Sequence, residues 1–74
     1  MRLIEVKPSL FLKVIGLNGD SVLVDRLEEM GLGIGRTLVL VRKTPLNGPL
    51  VVQAGNVFIA LRHEEAECIE VAEK

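Results

Sequence analysis

The chain has 74 residues, a formal net charge of −1 and 49% hydrophobic residues. This length allows one core, so we expect residues 1–74 to form a single domain. The lone cysteine excludes a disulfide-stapled scaffold and suits a reducing compartment. No apolar run approaches the ~20 residues that cross a bilayer, and there is no secretory signal. We therefore expect no direct membrane insertion and a cytoplasmic location.

The charge distribution and the scarcity of aromatic residues argue against a nucleic-acid partner. No aspartate or glutamate occurs between Met30 and His63, whereas five glutamates follow from Glu64 onward. Two phenylalanines are the only aromatic side chains, so bases would find almost nothing on which to stack. We interpret the charge pattern as solvated strand edges and an acidic tail rather than as a patch that steers a ligand.

The first elements in chain order are a strand and a helix. The strand is predicted from Leu10 to about Gly16, after a break at Pro8 and Ser9. The segment SVLVDRLEEM then predicts an amphipathic helix of about three turns, because its apolar residues recur at helical spacing. Asp20 or Ser21 can cap its first free N–H groups.

The segment GLGIG, residues 31–35, looks at first sight like a phosphate loop. A phosphate loop needs glycines that follow a strand and lead into a helix N-terminus. Here the glycines follow the last apolar position of the helix, where Gly31 favours a left-handed ending and Leu32 can pack back. We therefore interpret the cluster as a helix stop, where the field of the helix repels anions.

The rest of the chain predicts four more strands. TLVLVRK indicates a strand buried in its middle, and TPLNGP a loop too long for a tight turn. LVVQ and VFIA flank Gly55-Asn56 and predict a β-hairpin. RHEEAE indicates a helical turn, and CIEV a last strand with Ile69 and Val71 inward. Five short strands and one helix predict an all-β fold closed into a small barrel, because closure protects the strand edges.

Three segments together resemble the FeoA domain, the small cytoplasmic component of bacterial ferrous iron uptake. They are RLEEMGLGIG, VRKTPLNGPLVV and ALRHEEAECIEV, and the similarity extends in order over nearly the whole chain. They carry a Leu-x-x-Met-Gly-Leu-x-x-Gly helix exit, a Pro-x-x-Gly-Pro loop, and an Ala-Leu-Arg segment before a Glu-x-Ala turn. The chain departs from the family at Ile34, where the family often has proline.

The resemblance implies an SH3-like β-barrel of about five strands with one short α-helix inserted between the first two strands. It also implies a non-enzymatic accessory or regulatory role beside FeoB, the membrane permease that carries a cytoplasmic GTPase domain. Similar domains form the C-termini of some metal-dependent repressors, so a stand-alone metal-binding or metal-sensing module is an alternative. A structural module with weak self-association is a second alternative.

Catalysis finds little support in the sequence. It contains no nucleophile elbow, Walker loop or metalloprotease spacing. His63 is the only histidine, and it is distant in sequence from Ser9 and Ser21. We therefore expect no enzymatic activity. We also expect no peptide-reading groove of the SH3 type, because aromatic side chains line such grooves.

The segment HEEAEC contains the candidate metal ligands His63, Glu64, Glu67 and Cys68. On a helical turn His63 and Glu67 would share one face, and imidazole, carboxylate and thiolate all bind first-row transition metals. A closed zinc site needs four converging ligands at recognised spacings, which this segment does not offer. We therefore expect no resident cofactor and keep, as a hypothesis, a weak transient site for Fe(II) or Zn(II).

The candidate partner-binding surface combines the proline loop with the helix exit. Pro45, Leu46 and Pro49 offer rigid apolar surface whose ordering costs little on binding. We place Met30 and Leu32 beside them and expect this face to contact the permease. The alternative is that the prolines only shape a loop and Leu46 is an ordinary exposed residue.

Overall fold

The computed structural model describes residues 1–8 and 10–74, so the predicted break at Pro8 and Ser9 falls partly outside the described residues. The strands are β1 Phe11–Leu17, β2 Thr37–Lys43, β3 Leu50–Ala54, β4 Val57–Leu61 and β5 Ile69–Glu73. Within the described residues they form one five-stranded antiparallel sheet in the order β4-β3-β2-β1-β5. Each strand predicted from the sequence is therefore present, with bounds shifted by one or two residues.

Helical structure occurs in three places in the described chain. A 3₁₀ turn, Leu3–Glu5, precedes β1, helix α1, Ser21–Glu29, follows β1, and helix α2, His63–Glu67, joins β4 to β5. The count of one helix was therefore wrong: α2 is the helical turn that RHEEAE predicts, and the 3₁₀ turn before β1 was not predicted. No helix in the described part of the chain is long and apolar enough to cross a membrane.

The two short helical segments are stabilised locally by glutamate side chains. The Arg2 amide donates to Glu5 Oε1 at 2.7 Å, and the Arg62 amide donates to Glu65 Oε1 at 2.8 Å. In each case a glutamate reaches back three residues to the amide that precedes the helix, as in a capping box. The three-residue segment Leu3–Glu5 is too short for helical periodicity to reveal it.

The prediction of a closed barrel was also wrong. β4 and β5 are the two ends of the strand order, and no ladder joins them in residues 1–8 and 10–74. The N-terminal segment instead covers β5, since the Val71 amide donates to the Met1 carbonyl at 2.7 Å and Arg2 pairs with Glu70. We expected closure because it protects strand edges. Here the N-terminal segment protects the edge of β5, and the edge of β4 remains open.

The core lies on one face of the sheet, where alternate strand residues point inward. On β1, Leu12 and Val14 are buried, whereas Phe11, Lys13 and Ile15 are exposed. Ile69 and Val71 of β5 face inward, as the sequence predicts. Burial of one such aliphatic side chain stabilises the fold by roughly 1.5–3 kcal/mol. The other buried hydrophobic residues of the described chain are Leu3, Val6, Leu27, Leu32, Leu38, Leu40, Leu50, Val52, Ala54, Leu61 and Ala66.

The β3–β4 hairpin forms as predicted around Gly55-Asn56. Ala54 lies opposite Val57, so the turn has two residues, and the register runs without a shift to Leu50 opposite Leu61. The β2–β3 ladder differs, because its register shifts between Leu40 and Arg42. Such a bulge bends the strand and increases its local twist.

Candidate functional site

The glycine cluster ends helix α1, as the sequence predicts. Gly31 has a φ of 88°, and its amide donates to the Glu28 carbonyl at 3.0 Å. The Leu32 amide donates to the Leu27 carbonyl, also at 3.0 Å. These two bonds define a Schellman ending of the helix. The glycines therefore meet the carbonyl end of the helix, which repels anions.

Leu32 belongs to the core, and its predicted place in a docking face needs correction. Its side chain is 0% exposed, because the Schellman geometry turns the residue after Gly31 back onto the helix. Met30 caps the helix and is half-buried against the same core. Only part of Met30 is therefore accessible to a partner.

The proline loop, residues 44–49, is braced by its own hydrogen bonds. The Gly48 amide donates to the Pro45 carbonyl at 3.2 Å. The Thr44 amide and hydroxyl both donate to the Pro49 carbonyl, at 3.2 and 2.8 Å. A Cβ on Gly48 would collide with the Thr44 hydroxyl and crowd the Pro45 carbonyl, so the tight fold of this loop requires glycine there.

Leu46 stands at the tip of this loop, almost entirely in solvent. It is 98% exposed, and Pro45 and Pro49 beside it are exposed as well. Leu46 and Asn47 have φ values of 59° and 58°, and positive φ at both central residues is a feature of type I′ turns. Asparagine tolerates this conformation, whereas a leucine in it is a conformational outlier.

The helix exit and the proline loop lie apart. Met30 precedes β2 and Leu46 follows it, and β2 spans the seven residues Thr37–Lys43. Seven extended residues cover about 20 Å, so the two regions are at opposite ends of that strand. The structure therefore does not bring the two parts of the predicted docking face together.

The candidate metal ligands lie on helix α2 or, in the case of Cys68, directly after it. His63 Nε2 lies 3.6 Å from Glu67 Oε1, so these two side chains do share a helix face. Glu67 also pairs with Arg2 at 3.7 Å, and the Cys68 thiol donates to the Glu64 carbonyl at 3.4 Å. Among the described residues, no three histidine, cysteine or carboxylate side chains converge as a metal site would require.

Glu65 is a structural residue that the sequence interpretation missed. It is 6% exposed, and its Oε2 lies 3.6 Å from Nη2 of Arg26 on α1. That oxygen has no hydrogen-bond partner, while Oε1 accepts the Arg62 amide. The position three residues after Arg62 was the available signal, because a capping box places glutamate there. Glu65 links α2 to α1.

Both phenylalanines lie on the outer face of the sheet, in a surface that the sequence interpretation also missed. The strand registers align Phe11, Val39, Gln53 and Phe58 in one row across β1 to β4, which we call the phenylalanine face. Phe11 is 64% exposed and Phe58 is 63% exposed. Part of this row lines an open depression of about 410 Å³. Alternation along the strands could have placed each phenylalanine on the outer face. Their alignment in one row depends on the pairing register of the strands, which the sequence does not show.

Comparison with known proteins identifies relatives of the whole chain. The family model of the FeoA domain matches residues 1–73. A crystal structure of an iron uptake regulatory protein, FeoA, is 26% identical with a TM-score of 0.91, over 100% of this chain and 97% of that one. The solution structure of iron(II) transport protein A from Clostridium thermocellum is 33% identical with a TM-score of 0.89, over 99% of this chain and 45% of that one.

A third similar structure is that of a metal-dependent repressor. The manganese-activated repressor ScaR is 20% identical with a TM-score of 0.90, over 100% of this chain and 35% of ScaR. At this identity the similarity shows the fold alone. No curated protein sequence matches the chain. Because the family model spans nearly every residue and a FeoA structure superposes over the full length, the chain belongs to the FeoA family.

Proposed function

We propose that this chain is a non-enzymatic accessory or regulatory module of ferrous iron uptake that acts by contact with a FeoB-type GTPase permease. The names of its relatives, iron(II) transport protein A and iron uptake regulatory protein, support the link to iron. The observation that carries the proposal is the display of Leu46, a large apolar side chain held 98% exposed on a braced turn.

The backbone conformation of Leu46 is energetically unfavourable, and no packing contact of its side chain offsets this. A left-handed backbone costs a residue other than glycine about 1 kcal/mol. The side chain at this position packs against nothing that would offset the cost, because it is almost fully in solvent. A partner with an apolar pocket would offset it, and the bonds from Thr44 and Gly48 reduce the entropy lost on docking.

The ionic side chains of the described residues also favour surface contact over chemistry. Ion pairs among the described residues join distant parts of the chain: the Met1 amino group pairs with Glu70, Arg2 with Glu67, and Arg26 with Glu65. Groups held in such pairs act as links between segments. The proposed mechanism therefore depends on surface shape and apolar area rather than on a reacting side chain.

A binding experiment with the permease's soluble GTPase domain tests the proposal. Calorimetric titration, with and without guanine nucleotide, should show saturable binding of the wild-type chain. Leu46→Ser should weaken it about tenfold, which corresponds to 1.4 kcal/mol of lost apolar contact. Val22→Ser is the matched control, because Val22 is an exposed aliphatic residue on α1. Absence of wild-type binding, or equal loss in both variants, would contradict the proposal.

Metal binding is a second candidate function, favoured by one geometric observation. His63 Nε2 and Glu67 Oε1 are 3.6 Å apart, so one metal ion would have two adjacent ligands. Cobalt(II) titration of the isolated chain, followed by amide chemical shifts, tests this candidate. Shifts centred on residues 62–69 and lost in His63→Gln would support a metal-sensing module. Unchanged shifts there would remove this candidate.

A further inference from the structure

The free side of β4 is an open sheet edge. β4 pairs only with β3 among the described residues, while the opposite end of the sheet, β5, is covered by Met1 and Arg2. β4 itself, Val57–Leu61, contains no charge, no proline and no bulge. Those are the features by which proteins normally prevent an edge strand from pairing with another chain.

The register shows which backbone groups this edge offers. Ala54 and Val57 flank the two-residue turn, so they form a hydrogen-bonded pair, and bonded and non-bonded pairs alternate from there. Phe58 and Ala60 are in the non-bonded pairs, so their N–H and C=O groups point away from β3. Two donors and two acceptors are therefore directed at the open side of β4.

The side chains on the outer side of this edge are apolar. Phe58 belongs to the phenylalanine face, and Ala60 continues into a second row with Val51 and Arg42. Phe58 and Ala60 are both exposed. A strand added to β4 would place alternate side chains beside Phe58 and Ala60, where apolar residues would be buried.

Arginine side chains lie at both ends of the edge. Arg36 lies at the Gly55 end of the hairpin, since its guanidinium is 3.1 Å from where a Gly55 Cβ would be. Arg62 follows β4 at the other end, and Arg42 lies in the row of Ala60. All three are exposed, and in the described residues none pairs with a carboxylate. No aspartate or glutamate occurs from Met30 to His63.

We infer that the open edge of β4 binds an extended segment of a protein partner, apolar at alternate positions and acidic at both ends. The segment adds a strand to the sheet through the backbone of Phe58 and Ala60. Its apolar side chains cover Phe58, and its carboxylates meet Arg36 and Arg62. The inference rests on the proposed function only in that the chain acts through a protein partner.

A second copy of this chain fits the edge poorly. Antiparallel pairing of β4 with β4 would bring Arg62 of one copy toward Arg36 of the other, and no aspartate or glutamate lies between these two residues in the sequence. Like charges placed opposite one another destabilise a strand pair. Charge complementarity therefore selects an acidic partner over a copy of the chain.

A synthetic peptide tests the inference directly. The probe has five central residues of alternating valine and threonine with two glutamates at each end, and its control has lysine in place of every glutamate. We expect binding of the acidic probe to the full chain by fluorescence anisotropy, weakening as salt rises. Preference for the lysine peptide, or no binding of either, would overturn the inference.

Two pairs of variants show where the acidic peptide binds on the chain. Ala60→Pro removes the amide that points to the open side, and we expect about tenfold weaker binding, whereas Ala60→Ser keeps the amide and the affinity. Arg36→Glu should weaken binding about fivefold, whereas Lys7→Glu, the same charge change outside the sheet, should not. Melting curves report whether each variant is folded. Equal affinity for folded Arg36→Glu and wild type would overturn the inference even if Ala60→Pro unfolds.

Other outcomes distinguish this inference from the proposed function. A wild-type dimer on sizing that Ala60→Pro converts to monomer would overturn the inference, because a copy would then be the occupant. Binding to phosphatidylserine vesicles in preference to the probe would also overturn it. If the permease domain binds but the peptide does not, the proposed function stands alone. If the peptide binds and the permease domain does not, only the edge inference stands.

Discussion

The Leu32 amide donates a 3.0 Å hydrogen bond to the Leu27 carbonyl, and both side chains are fully buried. This one relationship ends helix α1 and returns the chain to the core ahead of β2. It also explains why a glycine-rich segment that looks like a ligand loop has a purely structural role. The bond requires the left-handed backbone of Gly31 between the two leucines.

Gly31→Ala should therefore destabilise the fold by about 1 kcal/mol, because a left-handed φ is unfavourable for alanine. A Cβ at this position would meet nothing within 4 Å, so the loss would come from the backbone alone. Gly33→Ala is the matched control, since its Cβ would have only ordinary contact with Glu28. Urea denaturation of both variants measures the difference. Equal stability of the two variants would contradict the helix-stop assignment.

Leu32→Ala should cost about 2–5 kcal/mol, because it leaves a cavity in the core. Met30→Ala should cost less, since Met30 is only half-buried. Denaturant midpoints of the two variants provide the test. If Leu32→Ala leaves the midpoint unchanged, Leu32 is not a core residue and its place in a docking face must be reconsidered.

Glu65→Ala should destabilise the chain by about 1–2 kcal/mol, because the Arg62 amide loses its acceptor at the start of α2. Glu65→Gln should be milder, since an amide oxygen can replace Oε1. Glu64→Ala, one residue away and exposed, is the control. Hydrogen exchange of the α2 amides gives a local readout. Faster exchange only in Glu65→Ala is the expected result, and unchanged exchange would contradict it.

The stability of the chain should decline in acid partly through Glu5. The Arg2 amide donates to the Glu5 carboxylate, and this bond lowers the pKa of Glu5 from its ordinary value. A lowered folded-state pKa contributes stability above the unfolded value of about 4.3, which is lost as pH falls through the folded-state pKa. Glu5→Gln should flatten the pH dependence below that value. Parallel stability curves for the variant and the wild type would exclude this contribution.

The sequence predicts local structure where one segment carries the whole signal. Gly55-Asn56 between two β-rich segments is sufficient for the β3–β4 hairpin, and a glycine after an amphipathic segment is sufficient for the end of α1. The role of Leu46 as a partner contact stays a prediction, suggested by Pro45 and Pro49 in the same loop. In each case the residues that determine the structure are adjacent in sequence.

Structure that depends on distant pairs could not be predicted in the same way. The N-terminal segment covers β5 through the bond from Val71 to Met1, residues 70 positions apart, and β5 is not joined to β4. The phenylalanine face depends on three strand registers, and a shift of one residue would turn Phe58 inward. The separation of Leu46 from Met30 depends on the length of β2. None of these relations leaves a periodic pattern in the sequence.

Chemical-shift mapping tests the central claim, contact between the chain's surface and a protein partner, most directly. An isotope-labelled chain is titrated with the soluble GTPase domain of the permease, and amide shifts are followed residue by residue. The account predicts saturable changes that include Leu46 and Asn47 at the tip of the proline loop. No change at saturating partner, or changes confined to residues 63–68 around His63, would contradict it.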